Sequence, residues 1–280
     1  MKKILVFFVS LFLLITSCKR DTNDANVSIF GFKNIDEARL KLGKYADLFS
    51  AVNGSTYVSS IRYNGTNEGD FEIFARYNED HLSPRTDGGN YFINSNKMIF
   101  DPKLQTYVLL PNNDLSKKEL GNLLKPTFGK ENEAKLIKND SLIFQTKFYV
   151  PTEIVATNLD NFPKLSGSDF IKISRKNMTF HWNRDNNNNN GVVAYLSWTG
   201  DRTDIPANEQ GTAGKKDAAI KFDDNGLVIL PNSFFDDLPV NAAFTISLIR
   251  GNVEVLEGSD KKKYKFHTNS WFKIQCTLID

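Results

Sequence analysis

Sulfur and imidazole are scarce in this chain. Its 280 residues include two cysteines, three histidines and three methionines, too few to build a disulfide framework or a Cys/His metal cage. Charge of one sign is scarce as well, with Lys and Arg totalling 35 against 33 Asp and Glu. A nucleic-acid surface announces itself as a basic excess, so no nucleic-acid partner is expected. Long apolar runs are missing: the longest, Ile4 to Ile15, falls short of the about 20 residues a membrane-spanning helix needs. Catalytic motifs are missing too. His81, His181 and His267 lie far apart, with no His-Glu-x-x-His, Gly-x-Ser-x-Gly or paired-cysteine motif beside them. The expectation is a protein that is not an enzyme and that needs no metal and no cofactor.

What is present begins at the N-terminus. Lys2 and Lys3 precede the apolar run, and Leu14, Ile15, Thr16, Ser17 and Cys18 close it. A basic start, a short apolar stretch and small residues before a cut are the three parts of a secretory signal, expected over 1–17. The five closing residues resemble the lipobox of bacterial lipoproteins. The resemblance implies that Cys18 carries acyl chains, and each buried methylene adds about 0.8 kcal/mol of membrane binding. It further implies, from Lys19 rather than Asp after the cysteine, an outer-membrane location. Lys19, Arg20, Asp21 and Asp24 loosely resemble the export signal of surface lipoproteins in Bacteroidota, which leaves both the periplasmic and the cell-surface face open. Without Lys2 and Lys3 the chain is formally neutral.

Residues 18–26 read as a lipidated polar tether. Ile35, Ala38, Leu42, Tyr45, Phe49 and Val52 then recur at steps of three and four, which predicts a helix whose apolar stripe packs on its own sheet. From Thr56 the pattern becomes β-rich: Tyr57 to Tyr63, Phe71 to Tyr77, Tyr91 to Ile93, Met98 to Phe100 and Tyr107 to Leu110 are punctuated by Asn64-Gly65, Gly88-Gly89 and Asn112-Asn113. A short helix is expected after Asp114, ended by Pro126, and a strand from Leu142 to Val150. The periodicity fades near residue 160, which divides an N-terminal α+β or mostly β domain over 27–160 from a C-terminal domain over 161–280. The fold class expected is mainly β.

In the second half, strict alternation marks Ile171 and Ile173, then Met178 to Trp182, Val192 to Trp198, Ile220 and Phe222, Phe244 to Leu248, Tyr264 and Phe266, and Phe272 to Leu278. Cys276 falls on the apolar side of the last run, as a buried, inert thiol would. With Trp182 on an early strand and Asp237-Leu238-Pro239 leading into Ala242 to Arg250, this half resembles an immunoglobulin-like or fibronectin type III-like sandwich. The resemblance implies a fold and no function.

Candidate sites are few. Asn186, Asn188, Asn190 and Gly191 fall in a calcium-loop register, but Ser197 stands where a bidentate Glu belongs, so the run is expected to be a turn. The loop Gly211 to Asp217 has glycines and lysines at the wrong spacing for phosphate. Asp223-Asp224 and Asp236-Asp237 are expected to cap and solvate turns. Trp271 alternates with Lys273, Gln275 and Thr277, on the wetter face of its strand, and with Tyr264 it is the candidate platform for stacking a sugar ring. Asp140-Ser141-Leu142 matches the tripeptide at which Bacteroidota attach O-glycans, making Ser141 a candidate modification site. The function expected is a binding or structural role at the outer membrane, the membrane being reached through the lipid. The alternative is an accessory glycan-binding surface lipoprotein, and a hydrolase comes third.

Overall fold

A computed structural model describes residues 51–66, 69–80, 83–109, 116–176, 178–206 and 214–280. The expected signal peptide, Cys18, the tether and all but the last two residues of the expected helix over 35–52 lie outside them. The described chain is mainly β, as its short alternating runs predict. Strands β1 (Gly54–Tyr63), β2 (Asp70–Tyr77), β3 (Asn90–Ile93), β4 (Asn96–Lys97), β5 (Ile99–Asp101) and β6 (Thr106–Val108) come first. Helix α1 (Lys117–Leu124) follows, then β7 (Lys130–Lys138) and β8 (Ser141–Val150). The second half contains β9 (Ile171–Ile173), β10 (Met178–His181), β11 (Val192–Trp198), β12 (Lys216–Phe222), β13 (Leu227–Leu230), β14 (Ala243–Glu257) and β15 (Lys263–Leu278).

Local chemistry explains several boundaries. Helix α1 starts at a capping box: the Glu119 amide donates to Ser116 Oγ at 3.3 Å and the Ser116 amide to Glu119 Oε2 at 2.9 Å. Pro126 then tightens the exit into a 3-10 turn over Lys125–Thr127. Asn139 and Asp140 take positive φ values of 48° and 59° and so turn the β7–β8 hairpin with the handedness its strands need.

One large sheet organises the rest, in the order β12-β11-β14-β15-β1-β2-β6-β5, with β9 added parallel to the end of β15. Strands β14 and β15, of 15 and 16 residues, each run about 50 Å at roughly 3.3 Å per residue. They reach across both halves of the molecule. Even-numbered residues of β15 point to one face throughout, and that face supports two cores. Tyr264 and Phe266 join Val58, Tyr91, Leu136 and Phe144 beneath the small sheet β4-β3-β7-β8. Phe272, Ile274, Cys276 and Leu278 join Phe180, Trp182, Leu196 and Phe235 beneath the ribbon β10-β13. Each large apolar side chain buried this way contributes about 1.5–3 kcal/mol. Among the described residues, 51–160 supply most of one core and 161–280 most of the other, and β15 enters both.

The strand inventory of the second half differs from the expected one in two respects. The separate strands expected at 264–266 and 272–278 are one strand, because Thr268, Asn269 and Ser270 continue the ladder while interrupting its apolar alternation. Strand β13 is added, and it lies across β10 in register from Met178–Leu230 to His181–Leu227.

Candidate functional site

The polar residues that split β15 belong to a belt across the core face. Ser60, Ser270, Arg250 and Val192 stand side by side on β1, β15, β14 and β11. The connection after β8 crosses the sheet here: Thr268 Oγ1 donates to the Tyr149 carbonyl at 3.0 Å, and the Ile154 amide donates to Ser270 Oγ at 2.8 Å. At its centre is Arg250, wholly buried. Its Nε lies 2.7 Å from Asp224 Oδ2, Nη2 donates to Asp224 Oδ1 at 2.9 Å and to the Asn183 carbonyl, and Nη1 donates to Thr152 Oγ1 at 2.7 Å. Asp224 also accepts from Trp182 Nε1 and from Asn188 Nδ2, each at 2.9 Å. A charge this deep is tolerated because Asp224 lies against it and Thr152 and Asn183 accept from its two terminal nitrogens, although Nε itself is not aligned for a hydrogen bond.

The asparagine run serves the same belt. Asn188 Nδ2 bonds back to the Gly191 carbonyl at 2.8 Å, and Asn190 Nδ2 reaches Asn252 Oδ1 at 2.8 Å. Gly191 has φ of 79°, and a Cβ there would meet the Phe222 carbonyl oxygen at 2.2 Å, so only glycine closes this loop. Asp185 opens the run and is held by the Tyr149 hydroxyl, the Thr152 amide and the Asn187 amide at 2.8–3.0 Å. Burial works against its charge, yet these donors keep its carboxyl below the ordinary carboxylate value. The run is therefore the expected turn, with Asp185 and Asn188 buried and hydrogen-bonded and Asn186, Asn187 and Asn189 exposed. Among the described residues no group of three or more His, Cys, Asp or Glu side chains is arranged for a metal ion.

Two expectations are corrected. Tyr264 is 3% exposed, packed against Phe144 at 4.7 Å between centroids and hydrogen-bonded to Asp260 at 2.8 Å. It has no free face for a sugar, because its even number places it in the core. Asp224 is likewise buried against Arg250 and does not solvate its turn, whereas Asp236 and Asp237 are exposed. His267 is packed edge-on to Tyr57 and bonded to Asn269 at 2.8 Å, while His181 is exposed at the end of β10. Trp182, Trp198 and Cys276 are buried as their alternation predicts. Ser141 lies exposed at the head of β8 beside the turn. Cys18, His81 and residues 211–213 lie outside the described residues.

Trp271 is half-buried on the face opposite to both cores. Lys273, two residues along, holds its ammonium 5.8 Å from the Trp271 ring and 5.5 Å from that of Tyr63, which is 38% exposed. Beyond them, Gln275, Thr245 and Ser197 form one polar row across β15, β14 and β11. That row lines a groove of about 560 Å³ with Phe170 and Arg202 on its walls. A flat ring, an amide, hydroxyls and a guanidinium in one open groove suit a polyhydroxylated ligand. Alternation had singled out Trp271 but not Tyr63, Phe170 or Arg202, which come from β1 and from loops.

No protein-family model matches the chain, and neither a curated protein nor a solved structure matches it.

Proposed function

We propose that this chain is a lipid-anchored cell-envelope protein of the outer membrane, without catalytic activity, whose β-body binds a partner or supports an envelope assembly. The observation that carries this reading is the run Leu14 to Cys18 at the end of a short, basic-headed apolar stretch. The C-terminal half is read as an immunoglobulin-like or fibronectin type III-like module within that role. Ser141, exposed beside a hairpin turn, is accessible to an O-glycosylating enzyme. The test is expression in a diderm bacterium with labelled palmitate, followed by membrane fractionation and protease treatment of intact cells. The wild type should take up label and sediment with outer membrane, and Cys18→Ala should be unlabelled and soluble. A wild-type protein that is soluble and unlabelled overturns the anchor. Accessibility to the protease separates the cell surface from the periplasm.

A second reading, glycan binding at the surface, is favoured by the groove lined by Phe170, Arg202 and Gln275. Fluorescently labelled soluble polysaccharides should change their emission on meeting the wild type and lose this effect with Gln275→Ala and Phe170→Ala. Unchanged fluorescence across a broad glycan panel counts against it.

A further inference from the structure

The face of the large sheet opposite to both cores carries a second apolar surface. Phe74, Tyr57, His267 and Val253 stand in one row across β2, β1, β15 and β14. Ile61, Trp271, Ile249 and Val193 stand in another across β1, β15, β14 and β11. Between them the row Ser59, Asn269 and Gly251 has small or self-bonded side chains, Ser59 Oγ donating to Asn269 Oδ1 at 2.6 Å. Two ridges with a low floor make a trough.

The β14 and β11 part of this trough is closed to water, while Tyr57, Phe74, His267, Ile61 and Trp271 are half-buried. Val253 is 1% exposed, Val193 2% and Ile249 4%, although none of them belongs to either core. A valine on the open face of a sheet keeps far more of its surface. The small sheet and the β10-β13 ribbon both cover the other face, so neither supplies this burial. Two side-chain donors on the same face, Trp271 Nε1 and Arg76 Nε, are buried without a hydrogen-bond partner.

We propose that the trough is the seat of this chain's own residues 35–50. Their apolar positions Ile35, Ala38, Leu42, Tyr45 and Phe49 fall on one side of a helix, and 16 residues would span about 24 Å at 1.5 Å each. Five strands, from β2 to β11, at about 4.8 Å spacing give a trough about 19 Å long, shorter than the segment by roughly one helical turn. The connection is short: the Asn53 amide already donates to the Lys263 carbonyl at 2.8 Å, so the segment ending at Ser50 meets the sheet on the side of the trough bounded by the His267 row. The seat does not depend on lipid. Together with the anchor reading, it would place the membrane leash in residues 19–34 and fix which face of the sheet looks toward the bilayer.

The test uses the unlipidated Cys18→Ala chain, in which Trp182 and Trp198 are buried in the core and Trp271 reports the trough. Leu42→Asp with Phe49→Asp should raise acrylamide quenching of Trp271 several-fold, while Lys44→Gln, off the apolar side, should leave it as in the parent. Hydrogen exchange on the parent chain gives a readout that needs no folded variant: amides within 38–49 should be protected. Rapid exchange there, or quenching unchanged by the double substitution, overturns the proposal. Exposure of Trp271 on simple dilution, with a dimer dissociating in light scattering, would overturn it in favour of a second copy as the cover.

Discussion

Arg250 and Asp224 form a two-pronged ion pair sealed from solvent, with side-chain exposures of 0% and 2%. It links the hairpin of long strands to the loop that precedes β13, at the level where the sheet passes from one core to the other. Its partners Trp182, Asn188, Thr152 and Asn183 come from both sides of that junction.

Removing one member should therefore cost more than removing both. Asp224→Ala leaves the Arg250 guanidinium buried and unpaired, a loss of about 3–5 kcal/mol. The double variant Asp224→Leu with Arg250→Met should recover much of it. Urea unfolding of the two variants beside the parent decides this, and a single variant as stable as the parent would contradict it.

Glu79 ties three elements at the surface by accepting from Lys138 and Lys262, whose side chains also reach the Tyr77 hydroxyl. The Lys138 bond first, and the Lys262 bond next, hold its carboxyl down to about 2 against an ordinary 4.5. The stabilisation is thus present above about pH 4.5 and drains away as the pH falls toward 2. Glu79 is exposed, so the screened effect stays below about 1 kcal/mol. The stability gap between parent and Glu79→Gln should be widest near neutrality and close in acid.

His267 behaves in the opposite sense. Burial, aided by Lys265, pushes its imidazole down to about 3 from 6.5, so the folded state refuses a proton that the unfolded chain accepts. Stability should fall as the pH drops below about 6.5 and go on falling toward 3. In a proton NMR titration the His267 ring signal should stay flat from neutrality to mild acid.

Cys276 is fully buried, and burial pushes its thiol well above the ordinary value. In the Cys18→Ala chain it should be silent to a thiol reagent under native conditions and react at once in denaturant. Prompt native reaction would mean that the core beneath β15 opens readily.

Much of the β-architecture was legible in the sequence. Runs such as Phe71 to Tyr77 alternate cleanly because one face meets a core and the other does not. The boundaries of α1 were legible in Pro126 and in the leucines that recur along one face. Strand β7 was hidden, since Lys-Glu-Asn-Glu-Ala-Lys-Leu-Ile-Lys buries only Asn132, Ala134 and Leu136, and pairing with β3 and β8 outweighs its weak strand preference. The unity of β15 was hidden by its polar middle, whose meaning depends on Tyr149 and Ile154, more than a hundred residues earlier. Arg250 left a readable trace. It follows Phe244, Ile246 and Leu248 on the same side of β14, and an arginine continuing a core register calls for a buried acid. Which acid answers it is decided by tertiary folding.

Strands β1 and β15 lie parallel, matched from Gly54–Tyr264 to Tyr63–Lys273. A pull between the start of β1 and the end of β15 therefore drags the strands past each other along their length. Their hydrogen bonds meet such a force all together, in shear, whereas an antiparallel hairpin pulled from its open end would unzip them one by one. A body built this way resists stretching between those two points far more than its equilibrium stability alone would imply.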